Sequence, residues 1–251
     1  MYEFDNRLFS AGAAETMAFT EGNCSPPPNG VTSVTRASRR VSGPYPRIDP
    51  AGFGRGIDIA FAGLILLATF PVLVLLCLLI WAQDGGKPIF AHRRIGRGGE
   101  TFPCFKLRSM VMDADERLRQ LLECDPAAAA EWAADHKLRN DPRITMLGAF
   151  LRKSSLDELP QLMNVLLGHM SLVGPRPIVA NEVPRYGRYF HYYCSVRPGI
   201  TGLWQVSGRN DVSYRRRVAL DTVYCRQKTV SFDMWILGRT VPALLLSKGS
   251  Y

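Results

Sequence analysis

The chain has 251 residues, a formal net charge of +9 and six cysteines. This length allows a substantial buried core. The positive charge favours anionic partners such as nucleic acid, acidic lipid headgroups or phosphorylated substrates, although composition alone also fits a basic protein without such a site. The cysteines form no CxxC pair and the four histidines no HExxH motif, so we expect reduced structural thiols and no zinc site.

Residues 1–50 are rich in Ser, Thr, Pro and Gly and include the run Pro26-Pro27-Pro28. Such a segment cannot bury enough apolar surface to offset the entropy lost on ordering. We therefore predict a disordered N-terminal tail. It is not a secretory signal peptide, because it lacks a continuous apolar core near its start.

No charged residue occurs in the 24 residues from Ile59 to Ala82. As a straight helix this segment would rise about 36 Å, against about 30 Å for the hydrocarbon core of a bilayer. Residues 51–84 are therefore predicted to enter a membrane. Pro71 bends the helix at its centre, and basic residues flank both ends, which the positive-inside rule disfavours exporting. A re-entrant helix hairpin and a kinked crossing are equally compatible with these features.

Residues 85–251 are predicted to form a cytoplasmic domain. A β-hairpin is expected from Lys87 to Met110 with its turn at residues 96–99, followed by two helices divided at Pro126. The hairpin is strongly basic, and contact with lipid headgroups explains most of its charges. Lys106, which lies in an aromatic-flanked strand, is instead a candidate phosphate ligand. The basic set comprises His92, Arg93, Arg94, Arg97, Lys106 and Arg108.

The segment 152–177 combines two adjacent acids with two arginines. Asp157 and Glu158 follow Arg152 by five and six residues, and Arg176 lies between two prolines. One interpretation of the acids is a helix-capping box begun by Ser155.

Pro160 argues against the capping box, because it would fall inside that helix and remove a hydrogen bond. A helix that starts at Pro160 and stops at Gly168 avoids this cost. It leaves both acids in an irregular turn, where backbone N–H groups attract phosphate.

An acid pair among arginines suits phosphate chemistry. A carboxylate can attack phosphorus and form an acyl phosphate. Magnesium suits one carboxylate together with phosphate oxygens, and Arg152 and Arg176 could clamp the non-bridging oxygens. Further along, Gly199, Gly202 and Gly208 permit close backbone approach. Arg209 could reach a diphosphate or a ribose from its glycine-bounded turn.

From about Arg55 to the C-terminus, the sequence resembles the bacterial sugar transferase family of monotopic phosphoglycosyl transferases. The resemblance rests on motifs that occur in order along the chain. They are Arg-Lys-Ser-Ser-Leu-Asp-Glu-Leu-Pro-Gln-Leu, Ser-Leu-Val-Gly-Pro-Arg-Pro, Arg-Pro-Gly-Ile-Thr-Gly-Leu-Trp-Gln-Val and Gly-Arg-Asn, with Lys106 in the family motif that ends Lys-Leu-Arg-Ser-Met.

The resemblance implies a reaction and a set of site residues. Asp157 would attack the sugar-bearing phosphorus of a UDP-sugar and release UMP, while Glu158 binds Mg²⁺. Undecaprenyl phosphate would then take the sugar phosphate, with galactose or glucose as the sugar, and so prime exopolysaccharide synthesis. The implied substrate-binding residues are Lys106, Arg152, Pro175, Arg176 and Arg209.

The resemblance also implies an α+β fold. A membrane re-entrant helix would precede a mostly helical catalytic domain with a small β-hairpin and interfacial amphipathic helices. The implied location is the cytoplasmic face of a bacterial inner membrane. The implied partners are UDP-sugar, undecaprenyl phosphate and membrane lipids. The sequence leaves the oligomeric state open, with a homodimer as one alternative.

Two readings of the C-terminal part stay open. Ser213 to Lys228 is predicted as a basic helix, and Phe232 to Leu246 as an apolar segment broken at Pro242. The apolar segment could lie on the membrane or pack in the core.

The rival function is a non-catalytic, basic, membrane-anchored scaffold of a polysaccharide assembly complex. It accounts for the charge and the apolar segment, but not for the clustered acids and arginines. No nucleic-acid partner is expected, because the basic residues flank a membrane segment instead of forming an aromatic-interleaved groove.

Overall fold

A computed structural model describes residues 53–135, 138, 140–208 and 212–245. The predicted N-terminal tail and Arg209 lie outside the described residues. The helices and strands are α1 (Phe53–Asp84), β1 (Ile89–Ile95), β2 (Thr101–Leu107), α2 (Ala114–Cys124), α3 (Pro126–Asp135), α4 (Met146–Lys153), α5 (Gln161–Leu166), β3 (Ser171–Val173), α6 (Val183–Tyr186), α7 (Phe190–Ser195), β4 (Gly199–Thr201), α8 (Leu203–Val206), α9 (Tyr214–Gln227) and α10 (Val230–Leu245). A 3₁₀ turn, Leu156–Glu158, joins α4 to α5.

The predicted β-hairpin is confirmed. Strands β1 and β2 pair antiparallel from Ile89↔Leu107 to Ile95↔Thr101, with a turn at residues 96–99. Because side chains alternate along a strand, the pairing Phe90↔Lys106 puts every second residue of β1 on the same face as Lys106. The division into α2 and α3 at Pro126 is also confirmed.

A second sheet was not predicted from the sequence. Strands β3 and β4 pair parallel, with Ser171 opposite Gly199 and Val173 opposite Thr201. Backbones approach closely at the end of this pair, because a Cβ on Gly199 would overlap the backbone nitrogen of Gly174. The three-residue strands carry too little alternation to be recognised as strands in the sequence.

Helix α1 packs against the domain along both of its halves. Ala62 is fully buried in the main core, and Leu76 and Ile80 are buried beside Leu107 of β2 and Leu151 of α4. The helix continues through Pro71. Among the described residues it alone is long and apolar enough to cross a membrane.

The ends of α1 are tied to the domain by polar contacts. Arg55 donates a hydrogen bond of 2.6 Å to the carbonyl of Val165. Asp58 accepts one of 3.0 Å from the amide of Leu172. At the other end, Arg108 donates to the carbonyl of Ile80 at 3.2 Å and pairs with Asp84.

The predicted break at Pro242 is wrong. Helix α10 runs from Val230 to Leu245 with Pro242 inside it. Pro242 lies near the C-terminal end of the helix, so it removes one hydrogen bond, to the carbonyl four residues earlier, without ending the helix. Of the two alternatives for this segment, packing in the core holds for one side of α10, because Ile236 is fully buried. Helix α9 agrees with the prediction, and Ser213 caps it by accepting from the amide of Arg216.

Candidate active site

A cavity of about 640 Å³ lies between the hairpin, the 3₁₀ turn and helices α8 to α10. Its lining brings together side chains that are far apart in the sequence. The charged residues of the lining are Arg94, Lys106, Arg152, Asp157, Glu158, Arg176 and Arg217. Four of the substrate-binding and catalytic positions predicted around Asp157 therefore share one cavity with it.

The two acids lie in an irregular turn, as the position of Pro160 predicted. Ser155 makes no side-chain cap, so the capping-box interpretation is wrong. Helix α5 begins at Gln161, one residue later than predicted, and Gly168 ends the segment with φ of 87°.

Ser155 has a left-handed backbone, with φ of 58° and ψ of 17°. A non-glycine residue in this region carries strain of about 1–3 kcal/mol. Ser155 changes the direction of the chain between the end of α4 and the turn Leu156–Glu158, which we call the acid turn. The strained residue therefore directly precedes the acid turn.

Lys106 binds both acids. Its Nζ lies 2.8 Å from Glu158 Oε1 and 3.6 Å from Asp157 Oδ2. Arg176 adds a second cation, with a guanidinium nitrogen 3.7 Å from the same Glu158 oxygen. The prediction that Lys106 belongs to the site agrees with this geometry.

Asn164 of α5 holds strand β2, and therefore Lys106, against the acid turn. Its side-chain amide donates to the carbonyl of Pro103 at 2.6 Å and accepts from the amide of Phe105 at 2.9 Å. Asn164 is completely buried. Its side chain thus gives an edge of β2 the two hydrogen bonds that a neighbouring strand would otherwise supply. Without them, one backbone amide and one carbonyl would be unpaired, which costs free energy of folding.

The two acids have opposite pKa shifts. Burial raises the pKa of Asp157 above its usual value, and Lys106 only partly offsets this. Burial would also raise the pKa of Glu158, but Arg176, Lys106 and a hydrogen bond from Gln161 lower it below its usual value. Glu158 is therefore held as a carboxylate, while Asp157 gains its charge at higher pH. Neighbouring acids with separated pKa values are typical of sites in which the two have different roles.

Arg152 lines the cavity from the end of α4. Its Nε donates to Ser109 Oγ at 2.9 Å, and α4 lies so close that a Cβ on Gly148 would overlap the carbonyl of Ser109. The guanidinium is thereby fixed near Asp157, whose pKa it lowers.

Pro175 is not part of the cavity lining. It is fully buried, and its carbonyl accepts a hydrogen bond of 2.9 Å from the amide of Gly199. The predicted substrate contact at Pro175 stays a prediction. This residue fixes the backbone from which Arg176 projects.

Sequence reasoning missed several lining residues. His92 and Arg94, which were assigned to a lipid-facing group, line the cavity. Arg94 donates to the carbonyl of Pro177 at 3.3 Å. The alternation of β1 opposite Lys106 is a signal that could have identified both. Trp204, Gln205 and Arg217 also line the cavity. Trp204 and Gln205 belong to a quoted family motif but were given no role in the site, and no motif indicated Arg217.

The acid pair fits a magnesium ion only in part. Glu158 offers an ionised carboxylate, and Asp157 adds a second oxygen donor close by. Among the described residues, no group of three or more His, Cys, Asp and Glu side chains could hold a metal ion. Phosphate oxygens and water would have to complete the coordination, which is how Mg²⁺ commonly binds with a phosphorylated substrate.

The family model described as "Bacterial sugar transferase" matches residues 51–247. The chain belongs to this family. The match includes α1, both sheets and the acid turn. The family supports the predicted enzyme class, undecaprenyl-phosphate sugar phosphotransferase.

Three relatives illustrate the family. The chain is 52% identical over 197 residues to an undecaprenyl-phosphate galactose phosphotransferase of Salmonella typhimurium, which covers 78% of this chain and 41% of that protein. It is 48% identical to the exopolysaccharide production protein ExoY of Sinorhizobium fredii, over 78% of this chain and 87% of that protein. It is 36% identical to a UDP-glucose:undecaprenyl-phosphate glucose-1-phosphate transferase of Caulobacter vibrioides, over 84% and 77% of the two chains.

Proposed function

We propose that this sugar transferase moves a sugar 1-phosphate from a UDP-sugar to undecaprenyl phosphate and so primes exopolysaccharide synthesis. The observation that carries the proposal is Asp157, buried beside an ionised Glu158 and faced by Lys106, Arg152 and Arg176. Three cations suit a diphosphate. A buried carboxylate suits attack on phosphorus.

In the first step an oxygen of Asp157 attacks the sugar-bearing phosphorus of the donor. A bond forms between that oxygen and phosphorus, and the bond from phosphorus to the bridging oxygen breaks. The electron pair of the broken bond stays on the bridging oxygen, which leaves as part of UMP. Arg152 and Arg176 offset the charge that builds on the non-bridging oxygens.

In the second step a phosphate oxygen of the lipid attacks the same phosphorus. The new bond makes the lipid-linked diphosphate, and the bond from phosphorus to Asp157 breaks. Its electron pair returns to the carboxylate. Neither step needs a proton on the attacking oxygen, since both nucleophiles react as anions.

Glu158 is the residue that would hold Mg²⁺, because its carboxylate is ionised and faces the cavity. Bound there, the ion would supply positive charge to the diphosphate of the donor. Lys106 keeps the adjacent acids from repelling each other, with its Nζ 2.8 Å from Glu158.

The proposal extends to the membrane. Both ends of α1 bond to the same domain, through Arg55 at one end and Asp84 at the other. A straight crossing would separate these ends by about 48 Å. Within α1, the most exposed large apolar side chains are those of Leu64 and Leu67, near the middle of the helix. These contacts support a re-entrant path at the cytoplasmic face of the bacterial inner membrane, with Pro71 as the bend.

The donor is proposed to be a UDP-hexose, with UDP-galactose ahead of UDP-glucose. Relatives at 52% and 50% identity are named for galactose transfer. Those named for glucose transfer are 36% and 37% identical.

The test is UMP release by the purified protein in nanodiscs, scored over a panel of UDP-sugars with undecaprenyl phosphate. Asp157→Asn should abolish turnover, while Asp115→Asn on the exposed side of α2 should keep it. Mass spectrometry of the trapped wild type should find sugar phosphate on Asp157. An active Asp157→Asn variant would refute the nucleophile, and a lack of UMP with every donor would favour the scaffold.

A further inference from the structure

The cavity lining contains a further cation, Arg217 of α9, in addition to the cations around the acid turn. Arg217 of α9 lies over the ring of Trp204, with its guanidinium carbon 4.5 Å from the ring centroid. Its Nε donates to the carbonyl of Val212 at 3.2 Å. One face and one nitrogen of the guanidinium are therefore fixed, and Arg217 lines the cavity.

Among the residues that the structure describes, no carboxylate oxygen lies within 4.0 Å of the Arg217 guanidinium, although the charge of Arg217 acts on Asp221 and partly offsets the raised pKa of that acid. Asp221, one turn further along α9, is buried and accepts a hydrogen bond of 2.7 Å from the hydroxyl of Tyr186. A pre-positioned guanidinium that faces a cavity suits an anion, and phosphate fits its planar arrangement of donors.

The surroundings of Arg217 indicate which anion. Helix α8, which carries Trp204, packs against both α9 and α10. The lining continues through Val206 to apolar residues of α10 and α1, and Thr201 bonds Thr240 within it at 2.8 Å. The apolar residues of this part of the lining are Ile65, Leu172, Val206, Leu237 and Ala243.

The acid turn already carries the cations that a nucleotide donor requires. Lys106, Arg152 and Arg176 act on Asp157, and their three charges match a diphosphate. Arg217 is not among the charges named as acting on Asp157 or Glu158. The cavity that it lines is also lined by Ile65 of α1, the helix that is apolar enough for a membrane. An anion with a single phosphate at the end of an apolar chain fits that position better than a second nucleotide group.

We propose that Arg217 binds the phosphate of the polyprenyl acceptor and that Trp204 is the positioning residue that holds Arg217 in place. This inference rests on the proposed function. The acceptor oxygen attacks the phosphorus bound to Asp157, the new phosphorus–oxygen bond forms as the bond to Asp157 breaks, and the electron pair returns to Asp157. Arg217 offsets the charge of the acceptor as two anions approach.

The test separates the two half-reactions in nanodiscs. The donor half is the single-turnover burst of UMP without lipid acceptor. The acceptor half is the steady-state KM for undecaprenyl phosphate. Arg217→Gln should raise that KM at least about tenfold, because a charged hydrogen-bonded pair contributes about 1.5–3 kcal/mol. The burst amplitude and rate should stay within about twofold, since the cations of the acid turn are unchanged.

Arg216→Gln is the matched control. Arg216 is the exposed neighbour of Arg217 on α9 and is not part of the cavity lining, so both readouts should keep wild-type values. Arg217→Lys keeps a charge at the same place in the lining and loses only the planar donor pattern. If Arg217→Gln does not fold, Arg217→Lys should still raise the KM for the acceptor and leave the burst intact.

Trp204→Phe retains an aromatic face and should change the acceptor KM less than Trp204→Leu, with a normal burst in both. If Arg217→Gln lowered the UMP burst by the same factor by which it raised the acceptor KM, the inference would be overturned, because the arginine would then serve the donor. An unchanged KM would also overturn it, as would the same KM rise in Arg216→Gln. A wild type that gives no burst with any UDP-sugar would instead overturn the proposed function.

Discussion

Asp157 and Glu158 are consecutive residues in opposite electrostatic environments. A carboxylate oxygen of Glu158 lies 2.8 Å from the side-chain nitrogen of Lys106 and 3.7 Å from a guanidinium nitrogen of Arg176. The nearest carboxylate oxygen of Asp157 lies 3.6 Å from the nitrogen of Lys106. Burial raises the pKa of Asp157 above its usual value, while the cations and Gln161 outweigh burial and lower that of Glu158. The acid limb of the activity profile should therefore follow Asp157, because the proposed nucleophile must be ionised to attack phosphorus.

Lys106→Met should move that acid limb to higher pH. Removing the cation takes away an interaction that lowers the pKa of Asp157, so the carboxylate forms only at higher pH. The loss of rate should be at least about tenfold at neutral pH, with partial recovery as the pH rises. The measurement is kcat/KM for the donor between pH 5 and 9. Lys106→Arg should keep the acid limb near that of the wild type, and a limb that moves to lower pH in Lys106→Met would contradict the prediction.

At the scale of elements, the site depends on contacts between backbones. Asn164 holds β2 to α5. Gly174 and Gly199 let the backbones next to the β3–β4 pair approach closely, near Arg176 in the chain. These contacts leave no room for an added side chain at Gly199, whose Cβ would meet backbone atoms of Gly174 and Thr201.

Gly199→Ala should lower stability by about 1–3 kcal/mol through overpacking and should reduce turnover by displacing Arg176. The control is Gly238→Ala in α10, where nothing lies within 4 Å of an added Cβ. Alanine there should be neutral or stabilising by up to about 1 kcal/mol. Thermal unfolding in detergent and UMP release measure the two effects. Equal stability of both variants would show that the close contact is not required.

Asn164→Leu should destabilise the protein by about 2–4 kcal/mol, because it leaves a partly buried amide and a partly buried carbonyl without partners. Lys106 would lose its fixed position, so turnover should fall as well. The reference variant is Asn140→Leu, an exposed turn residue. Denaturant unfolding of the detergent-solubilised protein gives the free-energy difference, and a loss below about 0.5 kcal/mol would argue against the clamp.

The proposed re-entrant path of α1 predicts where a reagent can reach this helix. Cysteines introduced at Gly56 and at Gln83, both exposed near the helix ends, should resist a membrane-impermeant maleimide added to intact spheroplasts of a cysteine-free background. Both should react after lysis, because a re-entrant helix keeps its two ends inside. Reaction of one position in intact spheroplasts would indicate a crossing.

The hairpin and the acid turn were predictable because their signals are local. Alternation marks β1 and β2, and Pro160 forces the acids out of a helix. The parallel pair β3–β4 and the contact of Arg217 with Trp204 join segments that are separated in the chain. No local sequence pattern predicts such contacts. The hydrogen bond from the amide of Gly199 to the carbonyl of Pro175 likewise joins segments distant in the chain.

At the scale of the whole molecule, Asp221 is a buried acid away from the acid turn. It is nearly inaccessible and accepts from Tyr186. Burial raises its pKa from 3.8 to about 7. The folded state therefore keeps a proton that the unfolded state releases, so the stabilisation is complete below pH 3.8 and is lost as the pH rises toward 7.

Asp221→Asn should remove this pH dependence, since the amide does not ionise. Relative to the wild type, the variant should gain stability between pH 5 and pH 8, by up to about 3 kcal/mol for an unscreened buried group. Thermal unfolding at the two pH values measures the difference. A gap between variant and wild type that narrows as the pH rises would reverse the assignment.

Helix α1 completes the protein core instead of serving as a tether. Ala62 lies in the same cluster as Val165 and Tyr224, and Ile80 covers Leu107. Cutting the chain after Asp84 would therefore uncover apolar side chains that water would have to solvate. A water-soluble fragment of the catalytic region should aggregate when expressed without this helix, so crystallisation and inhibitor screening will need the protein kept in a lipid or detergent environment.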